Sequence, residues 1–211
     1  MAGERTALLV DWGGVMTSDL FGSFRAFCEA EGLEAGIVRH AFRHDEAARD
    51  LLIAFEEGRV EEDAFSAGLA RALGLAPERA EGMVDRLFAG SALDDAMVGA
   101  VRAARAAGVR TGLISNSWGT TRYPQALLDE LFDGIVLSGL EGIRKPAPRM
   151  YELGAQRADA EPAACVYVDD LPFNLPPAEQ LGMAVVHHRD AAATIAQLEE
   201  LLGLRLRDRA A

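Results

Sequence analysis

Asp11 follows three apolar residues, Leu8-Leu9-Val10, and precedes Trp12-Gly13-Gly14-Val15. A carboxylate at the C-terminal end of a buried strand stands where open α/β sheets bind ligands. Paired glycines let the backbone turn sharply and approach a ligand closely. The same stretch also reads as a strand and a tight turn whose Asp bonds local N–H groups. Ser115 and Asp169-Asp170 likewise end strand-like apolar runs, and Lys145 lies in Gly142-Ile143-Arg144-Lys145-Pro146. One polar residue after a strand means little, but three such places and a loop lysine suggest a site. Phosphoryl chemistry gives the set a reason. A carboxylate can attack phosphorus and form an aspartyl-phosphate. A second cluster of carboxylates suits Mg²⁺, a hard cation that prefers oxygen. A lysine and a hydroxyl can neutralise and orient anionic oxygens.

These residues need a scaffold that brings strand ends together. Thr6 to Val10 reads as the first strand. From Asp19 to about Ala89 apolar residues recur at helical spacing, as in Phe24, Phe27 and Cys28 or Phe65, Leu69 and Leu73. Gly32, Gly58 and Gly74 punctuate this run of four or five helices. From Leu93 onward helix and strand alternate. Strands are expected at Arg110 to Ile114, Gly134 to Leu137, Cys165 to Val168 and Ala184 to His187. Helices are expected at about Asp95 to Ala107, Tyr123 to Leu131, Pro148 to Arg157, Leu175 to Leu181 and Ala191 to Leu202. Such alternation predicts a parallel sheet with helices on both faces. The domain reading is a core of residues 1–18 and 90–211 with residues 19–89 inserted as a helical cap. The polar tail, Arg205 to Ala211, is expected to fray.

Asp11-Trp12-Gly13-Gly14-Val15, Leu113-Ile114-Ser115-Asn116-Ser117-Trp118, Arg144-Lys145-Pro146-Ala147-Pro148 and Val168-Asp169-Asp170-Leu171-Pro172-Phe173-Asn174 resemble, in order, the four motifs of the haloacid dehalogenase superfamily. The likeness spans nearly the whole chain. Phe55-Glu56-Glu57-Gly58-Arg59-Val60 is similar to stretches of that superfamily's small helical caps. The second half resembles the phosphatase domains of soluble epoxide hydrolases and their single-domain bacterial relatives. The resemblance implies an α/β, Rossmann-like core carrying a cap. It implies Asp11 as nucleophile and metal ligand, with the Gly13 carbonyl and Asp170 as further Mg²⁺ ligands. Asp169 would ligate or orient from behind. Ser115 and Lys145 would bind phosphate, with Asn116 and Asn174 lining the same pocket.

One position departs from the pattern. In the superfamily's phosphatases an Asp two residues after the nucleophile protonates the leaving oxygen and then activates water. Here that position is Gly13. Losing a general acid/base costs roughly 10²–10⁴-fold. Asp19 could supply a proton if its loop folds back, but it also reads as the N-cap of the first inserted helix. The superfamily's dehalogenases share this gap, yet they need no metal and lack the acidic pair. The leading expectation is therefore a Mg²⁺-dependent phosphatase of a small phosphate ester. A 2-haloacid dehalogenase and a non-catalytic phosphate-ligand binding protein are the alternatives.

Composition narrows the rest. The chain has 211 residues, 50% hydrophobic and 26% charged, with a formal net charge of −12. That charge opposes a nucleic-acid or anionic-membrane surface. No apolar run approaches the roughly 20 residues of a membrane span, and the N-terminus lacks a signal-peptide apolar region. Cys28 and Cys165 read as buried, reduced thiols. A cytoplasmic monomer or homodimer acting on a small phosphorylated molecule is expected. His40 and His44, spaced by four, have no evident third ligand, and His187-His188 have a structural or solvent role by default. Arg39, Arg43 and Arg49 read as a charged helix face in water, and Trp118 as either pocket wall or core. Ser115 lacks a Gly-x-Ser-x-Gly setting, and Asp11-Trp12-Gly13-Gly14 lacks dinucleotide spacing.

Overall fold

A computed structural model describes residues 4–206. Its framework is a parallel sheet of β1 (Ala7–Val10), β2 (Arg110–Ser115), β3 (Gly134–Leu137), β4 (Cys165–Asp169) and β5 (Ala184–His187), in the spatial order β3-β2-β1-β4-β5. The chain steps outward from β1 to β2 and β3, then returns to place β4 on the other side of β1. The crevice between β1 and β4 is thus the point where strand order reverses, the usual ligand position in such sheets.

Five helices follow β1: α1 (Leu20–Ala30), α2 (Ile37–His44), α3 (Glu46–Glu56), α4 (Glu62–Ala72) and α5 (Met83–Phe88). The alternating part then supplies α6 (Asp95–Ala106), α7 (Gln125–Leu131), a short α8 (Ser138–Glu141), α9 (Pro148–Arg157), α10 (Leu175–Gln180) and α11 (Ala191–Leu202). The helix α8 was not anticipated; four residues are too few to display a 3.6-residue period. Pro124 takes the N-cap place of α7, which therefore begins later than the apolar pattern suggests.

Strand alternation splits the core into two layers. Leu8, Val10, Leu113 and Val168 face α6, α7 and α11. Ala7, Leu9, Ile114 and Tyr167 face α9 and α10. A Cβ on Gly154 of α9 would lie 2.4 Å from Ile114 Cδ1, so glycine sets how closely that helix seats on the sheet. Helices α1 to α5 enclose a third cluster of their own, including Phe24, Phe55, Phe65, Leu69 and Met83. Both crossings between sheet and helices run side by side, with Ser18 N–H donating to Ala92 O at 2.7 Å and Asp94 N–H to Met16 O at 2.9 Å.

The frayed-tail expectation needs correction at its start. Leu206 is buried in the sheet core, and its N–H donates to Glu199 Oε1 at 2.9 Å. Residues 207–211 lie outside the described part. No described helix is long and apolar enough to cross a membrane. Cys28 and Cys165 are both free and buried.

Candidate active site

Asp11 leaves β1 with its N–H still bonded to Val168 O of β4 at 2.9 Å, so the sheet fixes its backbone. Its carboxylate is buried and meets Lys145 Nζ at 2.8 Å. The same ammonium lies 2.7 Å from Asp169 Oδ2 and is only 1% exposed. Burial alone would push the Lys145 ammonium down, but Asp11 and Asp169 hold its pKa above the ordinary lysine value. Lys145 therefore stays charged and screens two carboxylates from each other.

Asp169 is saturated. Beyond Lys145 it accepts from the Tyr167 hydroxyl, from Leu171 N–H at 2.9 Å and from Asn174 Nδ2, which reaches Oδ1 at 3.0 Å and Oδ2 at 3.1 Å. Tyr151 in turn donates to Asn174 O at 2.7 Å. Asn174 thus orients Asp169 from behind, and its amide nitrogen is committed there rather than offered to a ligand. Asn116 is also committed. Its side chain donates to Lys145 O at 3.1 Å and accepts from Lys145 N–H at 2.8 Å, clamping the lysine loop in place.

Asp170 differs from its neighbour. Its Oδ1 is buried and has no hydrogen-bond partner. A Cβ on Gly14 would come within 2.5 Å of Oδ2, so the glycine makes room for this carboxylate. Asp11, Asp169 and Asp170 each bring an oxygen within 4.8 Å of the others. Burial, then repulsion from Asp11 and Asp169, pushes Asp170 up to about 8. Burial likewise pushes Asp11 up to about 7, with Lys145 pulling the other way. A compact, largely buried, all-oxygen group with one orphaned carboxylate oxygen fits a hard divalent cation.

Ser115 ends β2, buried, and its Oγ accepts from the Tyr123 hydroxyl at 2.9 Å. Burial raises the Tyr123 pKa, so the phenol remains a donor. Gly13 lines the cavity, its φ is not positive, and a Cβ built there meets nothing within 4 Å. The cavity over these residues measures about 480 Å³. Leu20, Phe21 and Phe88 of the helical segment line it, together with Trp12, Leu93 and Tyr123.

Two links to the helical segment escaped the sequence reading. Glu56, at the end of α3, is buried, accepts from Trp118 Nε1 at 3.2 Å and pairs with Arg144, the residue before Lys145. Burial raises its pKa, while Arg144 and Trp118 act in the opposite sense. Arg122 pairs with Glu62 and with Asp85 at 2.7 Å. Neither pairing has a local signal, because partners 88 and 60 residues apart meet only through the fold.

The other conspicuous residues fall elsewhere. Asp19 caps α1, accepting from Phe21 and Gly22 N–H at 3.0 Å each, so it is not folded back as an acid. The His40 and His44 rings lie side by side, tilted by 38° with centroids 4.6 Å apart. Arg39 lies over the Phe21 ring at 4.7 Å. His187 Nε2 lies 3.0 Å from Asp170 O, and His188 Nδ1 lies 2.9 Å from Thr194 Oγ1.

The parallel sheet, the reversed-order crevice and the acid–lysine–serine set over it are an α/β arrangement of the haloacid dehalogenase type. The profile of the haloacid dehalogenase-like hydrolases matches residues 6–182, and the chain belongs to that family. Among curated relatives, the sesquiterpene phosphatase astK of Aspergillus oryzae is 40% identical over 74 residues, 35% of this chain and 38% of that protein. Bifunctional epoxide hydrolase 2 of Rattus norvegicus is 28% identical over 123 residues, 55% of this chain and 22% of that protein. The chain therefore matches well under half the length of either relative. Among solved structures, the L-2-haloacid dehalogenase of Xanthobacter autotrophicus superposes with a TM-score of 0.62 at 20% identity, covering 98% of this chain and 90% of that one. That likeness concerns the fold.

Proposed function

We propose that this chain is a Mg²⁺-dependent phosphatase acting on a small phosphate ester through a phosphorylated Asp11. The observation that carries the reading is Asp170. A half-buried carboxylate whose Oδ1 is buried and orphaned, beside a nucleophile already screened by lysine, serves a metal-assisted phosphoryl site and has no task in dehalogenation. Asp11, Asp170 and the Gly13 carbonyl would hold the cation, which supplies charge neutralisation for the phosphoryl oxygens when bound.

The chain's own groups do the rest. Lys145 and the Ser115 hydroxyl orient the anionic oxygens, and Tyr123 fixes the serine hydroxyl. The Asp11 oxygen that does not face Lys145 attacks phosphorus. Asp169 and Asn116 keep Lys145 in place while charge moves. Helices α1 to α5 act as a cap that excludes water and selects the substrate. Their apolar side of the cavity, with Trp12 and Tyr123, favours an apolar leaving group.

Phosphate release from an activated aryl phosphate, with and without Mg²⁺, tests the reading on wild type and Asp11→Asn. Mg²⁺-dependent turnover that falls by about 10⁴-fold or more in the variant is expected. Chloride release from 2-chloroacids without any phosphate release would move the protein to the dehalogenases.

A further inference from the structure

We propose that this site takes its phosphoryl group only from donors whose leaving group departs as a stable anion, such as acyl phosphates, phosphoanhydrides and aryl phosphates, and that the resulting aspartyl-phosphate accumulates. The inference rests on the phosphatase reading and follows from where the cavity's protons are held.

Among the described residues lining the cavity, the carboxylates are Asp11, Glu56, Asp85 and Asp170. Asp11 is the nucleophile, and Asp170 belongs to the cation group. Glu56 has both oxygens engaged, one by Trp118 Nε1 and one by Arg144. Asp85 Oδ1 takes two N–H groups of Arg122, at 3.1 and 2.7 Å. The Tyr123 hydroxyl proton is given to Ser115 Oγ. The Thr17 hydroxyl donates to Ser18 O and accepts Gly14 N–H. Asp19, the nearest acid along the chain, is spent on the first turn of α1. At Gly13, which lines the cavity two residues after Asp11, a Cβ would meet nothing within 4 Å, so no side chain fills that space with a proton donor.

The consequence can be written bond by bond. An Asp11 oxygen forms an O–P bond as the bond from phosphorus to the leaving oxygen breaks. The electron pair goes to that oxygen, and no proton meets it. Carboxylates, phosphates and phenolates tolerate this; alkoxides do not. Hydrolysis then needs water to form a new O–P bond while the bond to Asp11 breaks, restoring the carboxylate and releasing phosphate. The water proton passes to bulk solvent without a positioned base, so this step is slow and the phosphoenzyme persists.

The test is a leaving-group series with Mg²⁺: acetyl phosphate, 4-nitrophenyl phosphate, phenyl phosphate and 2-phenylethyl phosphate, on wild type and Gly13→Asp. Wild type should lose rate steeply along the series. The variant should gain about 10²–10⁴-fold on the alkyl ester and little on acetyl phosphate. Acid-quenched wild type should carry one added phosphoryl group by intact mass, a readout that does not depend on the variant folding. Wild-type turnover of the alkyl ester within about tenfold of the aryl esters would overturn the inference and leave the phosphatase reading standing. So would quenched enzyme free of phosphate during turnover. Failure of every donor, acetyl phosphate included, would overturn both.

Discussion

Asp169 and Asp170 are adjacent and chemically identical, yet the structure gives them opposite duties. Asp169 is held by four donor groups and forms half of a buried ion pair. Removing one partner of such a pair costs about 3–5 kcal/mol, because the other charge stays buried. Asp169→Asn should therefore lower stability by about 3 kcal/mol or more in urea unfolding. Asp170→Asn should leave the cation-free protein unchanged or more stable, since it removes a carboxylate pressed by Asp11 and Asp169. Mg²⁺ should raise the melting temperature of wild type and leave that of this variant unchanged. Equal destabilisation by both changes would contradict the division of roles. Sequence made the acidic pair visible because it ends a strand-like apolar run, as Asp11 and Ser115 do, and the set together suggests a site. The resemblance put Asp170 on the cation and left Asp169 either ligating or orienting; the residues alone could not decide this, because it depends on Tyr167, Asn174 and Lys145 all meeting Asp169. The roles of Tyr123 and Glu56 stayed hidden for a related reason: their partners are chosen by packing, and although Glu56 lies in a cap-like stretch, nothing local pairs it with Trp118 or Arg144.

At the scale of elements, β1 to β5 were legible because each is a short, near-continuous apolar run bounded by glycine, proline or polar residues. Helix starts were legible where a side chain caps them, as Asp19, Asp94 and Asp190 do for α1, α6 and α11. The turn from β5 into α11 carries a pH signal that no pattern revealed. His188 is buried there, its N–H donates to Asp169 O at 2.9 Å, and its ring meets Thr194 of α11. Burial lowers its pKa below the ordinary 6.5, with His187 adding to the effect and Asp94 and Asp190 opposing it. A depressed histidine means the unfolded chain binds the proton more readily, so stability is lost as pH falls below about 6.5. Urea unfolding on both sides of that value should show this loss in wild type, and His188→Asn should flatten it. A slope unchanged in the variant would assign the pH dependence to other groups.

Over the whole molecule, one side chain joins the two hydrophobic bodies. Trp118 belongs by sequence to the loop after β2, three residues beyond Ser115, yet its ring sits among Phe24, Phe42, Phe55, Phe65 and Phe88, with centroids 5.3 to 6.2 Å away. Its indole N–H holds Glu56, and Glu56 holds the residue beside Lys145. The helices therefore cannot move far from the sheet without pulling on both the serine and the lysine loops. A second contact is backbone on backbone: Gly58, at φ +67°, packs so near Gly139 that a Cβ would lie 2.4 Å from its carbonyl oxygen. Trp118→Ala should cost about 3–5 kcal/mol from lost packing alone. It should also separate the unfolding of helices from that of sheet. Far-ultraviolet circular dichroism and tryptophan fluorescence, which in the variant comes from Trp12 alone, should coincide through urea unfolding of wild type and part in the variant. Trp118→Phe, which keeps a ring but drops the N–H to Glu56, should stay cooperative and lose about 1 kcal/mol. If Trp118→Ala still unfolds in one transition, the Gly58–Gly139 contact and the Arg122 ion pairs are enough to bind the helices to the sheet. The tryptophan would then matter to the serine loop alone.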